Sequence, residues 1–209
     1  MNFALKALAA VLLTASALAQ IAVQTSFDAK GKVAGHIADE GSIRRAKALM
    51  GTRPPDFAAK DIQGKPISRK TLKGKPAVLF FLDKECPCCV GARVYVDRLQ
   101  ATYGKAAYIV GFVNGSPEET KKWAKKTGSK FRVVPDPGNK IGIAYRAEVG
   151  MACRLLDRNG KIVYSLPGYS APMLQFLGDS IAKEAGISPR KINTKPAPDE
   201  LTSGCPLIR

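Results

Sequence analysis

The chain has 209 residues, a formal net charge of +16, five cysteines and one histidine. Its hydrophobic content of 45% is enough for one ordinary core. The basic residues, among them Arg44-Arg45, Lys121-Lys122, Lys125-Lys126 and Arg190-Lys191, are scattered and not interleaved with aromatics. That excludes a recognisable nucleic-acid motif and reads as a solvated surface suited to anionic envelope components or acidic partners.

Lys6 and the mostly apolar run over 7–18 read as an export signal. Ala17 and Ala19 are small residues at the positions a signal peptidase reads, which puts cleavage before Gln20. The run is shorter than the roughly 20 apolar residues of a membrane span, so no stable membrane insertion is expected. The mature chain is expected in the periplasm or secreted. Residues 20–50 form an N-terminal extension, with a short helix over 41–50 that sets Ile43, Ala46 and Met50 on one face.

Patterning sharpens from Gly51. A hairpin is predicted with its turn at 62–65 and its second arm at 66–68. The continuous apolar run over 77–82 predicts a central strand buried on both faces. Three clustered cysteines follow, then Ala92, Val96, Leu99 and Tyr103 on one helical face, ended by Gly104. A strand is predicted over 107–113. Ser116, Pro117 and Glu119 then make a helix start of N-cap, first-turn proline and capping-box acid, and Gly128 a stop.

A short strand over 131–134 comes next. Two further runs, 152–156 and 162–165, flank Asn159-Gly160 as a hairpin. Leu174, Leu177 and Ile181 mark a last amphipathic helix ending near Gly186, and residues 188–209 read as a polar, proline-rich tail held loosely or by one bond. This order implies a mixed sheet with helices on both faces, and the cysteines at the carboxyl edge of the sheet.

Residues 51–187 carry a family's marks: Pro55-Asp56-Phe57, Gly64-Lys65-Pro66, Leu72-Lys73-Gly74-Lys75-Pro76, Cys86-Pro87-Cys88-Cys89, Asp136-Pro137-Gly138 and Leu156-Asp157-Arg158-Asn159-Gly160-Lys161. In this order the segment resembles the exported thioredoxin-like redoxins. That superfamily joins thiol-disulfide oxidoreductases to alkyl hydroperoxide reductase type antioxidants. The resemblance implies a thioredoxin-like α/β fold, a mixed central sheet with helices on both faces and an added N-terminal β-hairpin. It also implies that Cys86 is the nucleophile and Cys89 the resolving thiol of a C-x-x-C site in a cell-envelope oxidoreductase. Its partners would be protein thiols and disulfides or small oxidants.

Physical chemistry agrees with that assignment. A cysteine at a helix N-terminus sits near unpaired N–H groups and the positive end of the dipole, which favours the thiolate. Cys89 lies one turn on, within reach of a mixed disulfide. No bound organic cofactor is needed and no metal is assigned.

Three departures from the family pattern are visible. Glu85 precedes the nucleophile where thioredoxins carry an aromatic, with Lys84 available to offset its charge. Gly150-Met151 stands where a cis-proline loop is usual, and Phe80 where a buried acid is usual. Peroxiredoxins place Thr or Ser three residues before the peroxidatic cysteine. Here Asp83 precedes Cys86 at that spacing and Cys86 precedes Cys89, which disfavours a peroxidase of the usual kind.

Cys88, Cys153 and Cys205 are possible accessory thiols. Cys88 reads as a small residue of the first helical turn, and Cys153 as a buried strand residue. Cys205 could fold back from the tail as an extra resolving thiol. The alternatives are a peroxiredoxin-like peroxide reductase and a thioredoxin-fold copper-binding or interaction protein, the latter because Cys86, Cys88 and Cys89 suit soft Cu(I). His36 lies before the domain, and a four-ligand zinc set is incomplete.

Overall fold

A computed structural model describes residues 35–207. The export signal expected over 1–19 and the extension up to residue 34 lie outside the described residues. The elements are β1 (His36–Ile37), α1 (Glu40–Lys47), β2 (Ala58–Lys60), β3 (Pro66–Ser68), β4 (Ala77–Leu82), α2 (Pro87–Tyr103) and β5 (Tyr108–Val113). They continue with α3 (Pro117–Thr127), β6 (Arg132–Pro135), α4 (Lys140–Ala144), β7 (Ala152–Leu156), β8 (Ile162–Leu166), α5 (Ala171–Ala185) and β9 (Thr202–Ser203).

Five strands form one mixed sheet in the order β6-β5-β4-β7-β8. β4 runs parallel to β5 and antiparallel to β7. All six residues of β4 are buried, as a strand without polar alternation requires. Val78, Phe80 and Leu82 face one core with Ala92, Val96 and Leu99 of α2 and Leu174, Leu177 and Ile181 of α5. Leu79 and Phe81 face the other, with Phe112, Tyr145, Ile67 and Leu72. Fully burying each of these large apolar side chains is worth about 1.5–3 kcal/mol. The β2–β3 hairpin and α4 therefore cover the face opposite α2 and α5.

Local signals act as their chemistry demands. Ser116 accepts the Glu119 N–H at 3.2 Å while the Glu119 carboxylate accepts the Ser116 N–H at 2.8 Å. Gly128 and Gly186 close α3 and α5 with φ of 65° and 68°, a left-handed conformation that favours glycine. Between β7 and β8 the Asp157 carboxylate accepts the N–H groups of Asn159 and Lys161, each at 2.8 Å.

Two expectations need correction. α1 stops at Lys47, capped at its start by Asp39, and Met50 lies beyond it with 46% exposure; Ser42 and Ala46 are the buried residues. More consequential is the tail. Tyr103 Oη donates to the Arg190 carbonyl at 3.0 Å and accepts the Arg190 N–H at 2.8 Å. Ile192 is buried, and its side chain reaches within 2.4 Å of where a Cβ on Gly178 would stand. β9 pairs antiparallel with β1. Many backbone hydrogen bonds, not one, hold the chain's end.

Candidate functional site

β4 ends at Leu82 and α2 begins at Pro87, so the cysteines occupy the turn from sheet to helix. Cys86 is the N-cap, with φ −75° and ψ 116°, and Pro87 is the first helical residue, where a missing N–H costs nothing. The Cys89 N–H donates to the Cys86 carbonyl at 3.1 Å. Cys86 and Cys89 thus sit one turn apart, Cys86 being 1% and Cys89 0% exposed.

The Cys86 side chain makes no capping bond to its own helix. Its thiol is held well below the ordinary value by hydrogen bonds from the Cys88 and then the Cys89 thiol, with the Cys205 backbone N–H adding at 3.2 Å. The reciprocal effect raises Cys88 and Cys89, helped by burial. Cys205 is pushed up to about 11, first by burial and then by its bond to Cys86. One thiolate is therefore shared among three protonated neighbours, an electron distribution suited to one attacking or leaving sulfur. Helix N–H groups were the expected stabiliser; the sulfur's N–H partner belongs to the chain's end instead.

Lys84 stands where it can offset the Glu85 charge, as expected, but its main partner is another acid. Its ammonium pairs with Glu119 and lies 3.9 Å from Glu85. Asp83 is the acid that sequence reasoning missed. It is buried, its N–H meets Cys89 Sγ at 3.4 Å, and its carboxylate accepts the Glu85 N–H at 2.9 Å. The family position for a buried acid carries Phe80, and the buried acid here is Asp83, three residues on; Cys89 is kept protonated first by its bond to Cys86 and then by burial.

Opposite the cysteines, Gly150-Met151 replaces the proline loop. Met151 adopts φ of 64° and donates its N–H to the Phe81 carbonyl at 2.8 Å. A Cβ on Gly150 would stand 2.6 Å from Cys89 Sγ, so only glycine fits. The free edge of this loop is occupied by the chain's end. The Gly150 N–H donates to the Cys205 carbonyl and the Gly204 N–H to the Gly150 carbonyl, both at 2.8 Å. Leu207 N–H donates to the Glu148 carbonyl at 2.8 Å, while Thr202 and Tyr169 exchange backbone bonds at 2.8 and 2.9 Å.

Among the described residues, Cys86, Cys88 and Cys205 form a group whose sulfurs all lie within 4.8 Å. Three soft donors could hold Cu(I); neither Cys89 nor His36 belongs to the group. His36 pairs with Ser203 in the β1–β9 ladder and is exposed. Cys153 lies in β7 opposite Phe80, fully buried, its thiol raised to about 11 by desolvation. Its surroundings are strand and core, and the three clustered sulfurs do not include it.

Residues 50–165, more than half the chain, match the family described as AhpC/TSA. The chain belongs to the AhpC/TSA family. The match runs from before β2 into β8 and stops short of α5 and the segment carrying Cys205. Peroxiredoxin Q of Sedum lineare chloroplasts is 33% identical over 131 residues, covering 57% of this chain and 70% of that one. The thiol-disulfide oxidoreductase ResA of Bacillus anthracis is 30% identical over 126 residues, covering 59% and 73%. A secreted Mycobacterium tuberculosis disulfide oxidoreductase shares the fold at TM-score 0.52 and 23% identity, over 61% of this chain and 95% of that one. This AhpC/TSA member is a redox enzyme of the thioredoxin-like type. No helix among its described residues is long and apolar enough to cross a membrane.

Proposed function

We propose that this AhpC/TSA-family chain is a thiol-disulfide oxidoreductase of the cell envelope, periplasmic or secreted, with Cys86 and Cys89 as its working dithiol. Cys86 exchanges with an incoming sulfur, and Cys89 resolves the mixed disulfide from one turn along the helix. The reading rests on one observation above all: Cys86 caps the start of α2 with Cys89 one turn on, and its sulfur accepts the Cys205 N–H at 3.2 Å. A nucleophile that doubles as a good leaving group, beside a resolver kept protonated until needed, is the division of labour disulfide exchange requires.

The peroxiredoxin Q relatives support peroxide reduction as the second reading. Against it stands Asp83, a carboxylate where that chemistry uses a hydroxyl. Both are tested by following oxidation of a reduced two-cysteine peptide with either oxidised glutathione or hydrogen peroxide as terminal oxidant. Wild type should turn over with glutathione, Cys86→Ser should not, and Cys89→Ser should lose at least about tenfold. Turnover confined to peroxide would select the second reading; wild-type rates no higher than background would remove both.

A further inference from the structure

Cys86 is 1% exposed, too covered for a protein-sized thiol to reach its sulfur. What covers it is the segment 201–207, tied on both sides of Cys205. Upstream, the Ala38 N–H donates to the Leu201 carbonyl at 2.9 Å and Thr202 is paired with Tyr169. Downstream, Gly150 and Glu148 hold the carbonyl of Cys205 and the N–H of Leu207. The crossing is built for close approach. A Cβ on Gly168 would stand 2.2 Å from the Thr202 carbonyl oxygen, and one on Gly204 would stand 3.0 Å from the Gly150 Cα. Cys205 is the half-buried member of the cluster, its Sγ within 4.8 Å of those of Cys86 and Cys88.

We propose that Cys205 is the sulfur through which the buried Cys86–Cys89 pair trades electrons with a protein or peptide thiol, the segment 201–207 serving as a fixed strap that delivers it. The proposal rests on the Cys86–Cys89 reading above. In the oxidised enzyme the Cys205 thiolate attacks the Cys86 sulfur of the Cys86–Cys89 disulfide. The bond between Cys86 and Cys205 forms, the bond to Cys89 breaks, and Cys89 leaves with the electron pair and takes up the proton Cys205 gave. A partner thiolate then attacks the Cys205 sulfur from the solvent side. Cys86 leaves as a thiolate, stabilised by the hydrogen bonds of its neighbours, and the partner is held on Cys205.

The partner's second thiol attacks its own tethered sulfur, closes the partner's disulfide and releases Cys205 to be protonated. Two electrons pass from the partner's dithiol to the enzyme, and one proton goes to solvent because Cys86 stays ionised. Capture of the partner on Cys205 is the favoured step, since the sulfur it expels, that of Cys86, is the most stable thiolate of the cluster.

The test uses pre-oxidised full-length protein and a reduced peptide with a single cysteine, which can form the mixed disulfide but cannot resolve it. Acid quenching and peptide mapping then locate the adduct. It is expected on Cys205, and Cys205→Ser should slow adduct formation about tenfold or more. In Cys89→Ser oxidised by glutathione, a Cys86–Cys205 disulfide is expected. An adduct on Cys86, formed equally fast in Cys205→Ser, would overturn the relay and leave the Cys86–Cys89 reading standing. No adduct on either cysteine in wild type would overturn both.

Discussion

The backbone amide of Cys205 donates to the sulfur of Cys86 across 3.2 Å, joining residues 119 positions apart at the mouth of the site. A thiolate at a helix start ordinarily draws on that helix's own N–H groups. Here the strap supplies the N–H, and two thiols in the first turn of α2 supply the rest. Redox chemistry and tail docking are therefore one structural problem: whatever lifts the strap also weakens the thiolate.

That coupling gives the reduced protein a characteristic pH dependence. Cys86 is depressed in the folded state relative to about 8.5 for an unfolded cysteine. Its contribution to stability is complete above the unfolded value and is lost as pH falls toward the folded one. Cys205, raised to about 11, works in reverse: the unfolded chain ionises first, and stability declines as pH climbs from about 8.5 through that value. Urea midpoints of the reduced protein should thus separate wild type from Cys86→Ser by an amount that grows from acid up to about pH 8.5. Parallel curves for the two proteins would show that Cys86 is not a depressed thiol.

Gly150→Ala tests the packing of the crossing. The new methyl would lie 2.6 Å from Cys89 Sγ, with the Gly204 Cα at 3.4 Å and the Cys205 carbonyl oxygen at 3.5 Å behind it. Nothing flexible can yield, so overpacking should cost about 1–3 kcal/mol. Alkylation of Cys86 should also accelerate as the strap is pushed away. Gly64→Ala is the control: no atom lies within 4 Å of its added methyl, and the φ of 82° brings only local strain. Equal cysteine reactivity in the two variants would mean that the strap is not gated by Gly150.

Much of this fold is legible in the sequence because its signals are local. The apolar run of β4, the capping box at Ser116 and the Asn159-Gly160 turn each depend on residues a few positions apart. The strap is invisible by the same reasoning. Its bonds run from backbone to backbone across more than thirty residues, and its fit depends on side chains that Gly150, Gly168 and Gly204 lack. A two-residue strand such as β9 has no period to detect. The lone Cys205 is the cue that the tail can fold back on the dithiol, but nothing local in the sequence marks the backbone path that brings it there.

Ser116→Ala should cost about 1 kcal/mol, because the Glu119 N–H loses its acceptor. It should also loosen Glu119, whose carboxylate both completes the capping box and holds Lys84 at the edge of the cysteine turn. Urea denaturation of the variant measures the first effect. A change under about 0.3 kcal/mol would show that solvent caps α3 equally well.

Arg154 carries the largest expected stability effect outside the cysteines. Arg154 is 1% exposed, and its guanidinium donates to the carbonyls of Tyr145, Arg146, Cys153 and Leu166 at 2.8–3.3 Å. Burial draws its pKa down to about 10, so the group remains charged at neutral pH. The carbonyls it serves include that of Arg146, which adopts φ of 50°, a conformation worth roughly 1–2 kcal/mol of strain in a residue other than glycine. Arg154→Leu would leave those acceptors buried and unpaired and should destabilise the fold by about 3–5 kcal/mol. Arg154→Lys should recover little, because a point charge with three donors cannot match a planar fork with five. The same segment runs from Tyr145 to Gly150, the rail on which the strap rests, so faster alkylation of Cys86 should accompany the lost stability. A loss below about 1 kcal/mol would mean that water replaces the guanidinium without penalty, and the segment would then owe its path to Phe81, Tyr145 and the core beneath.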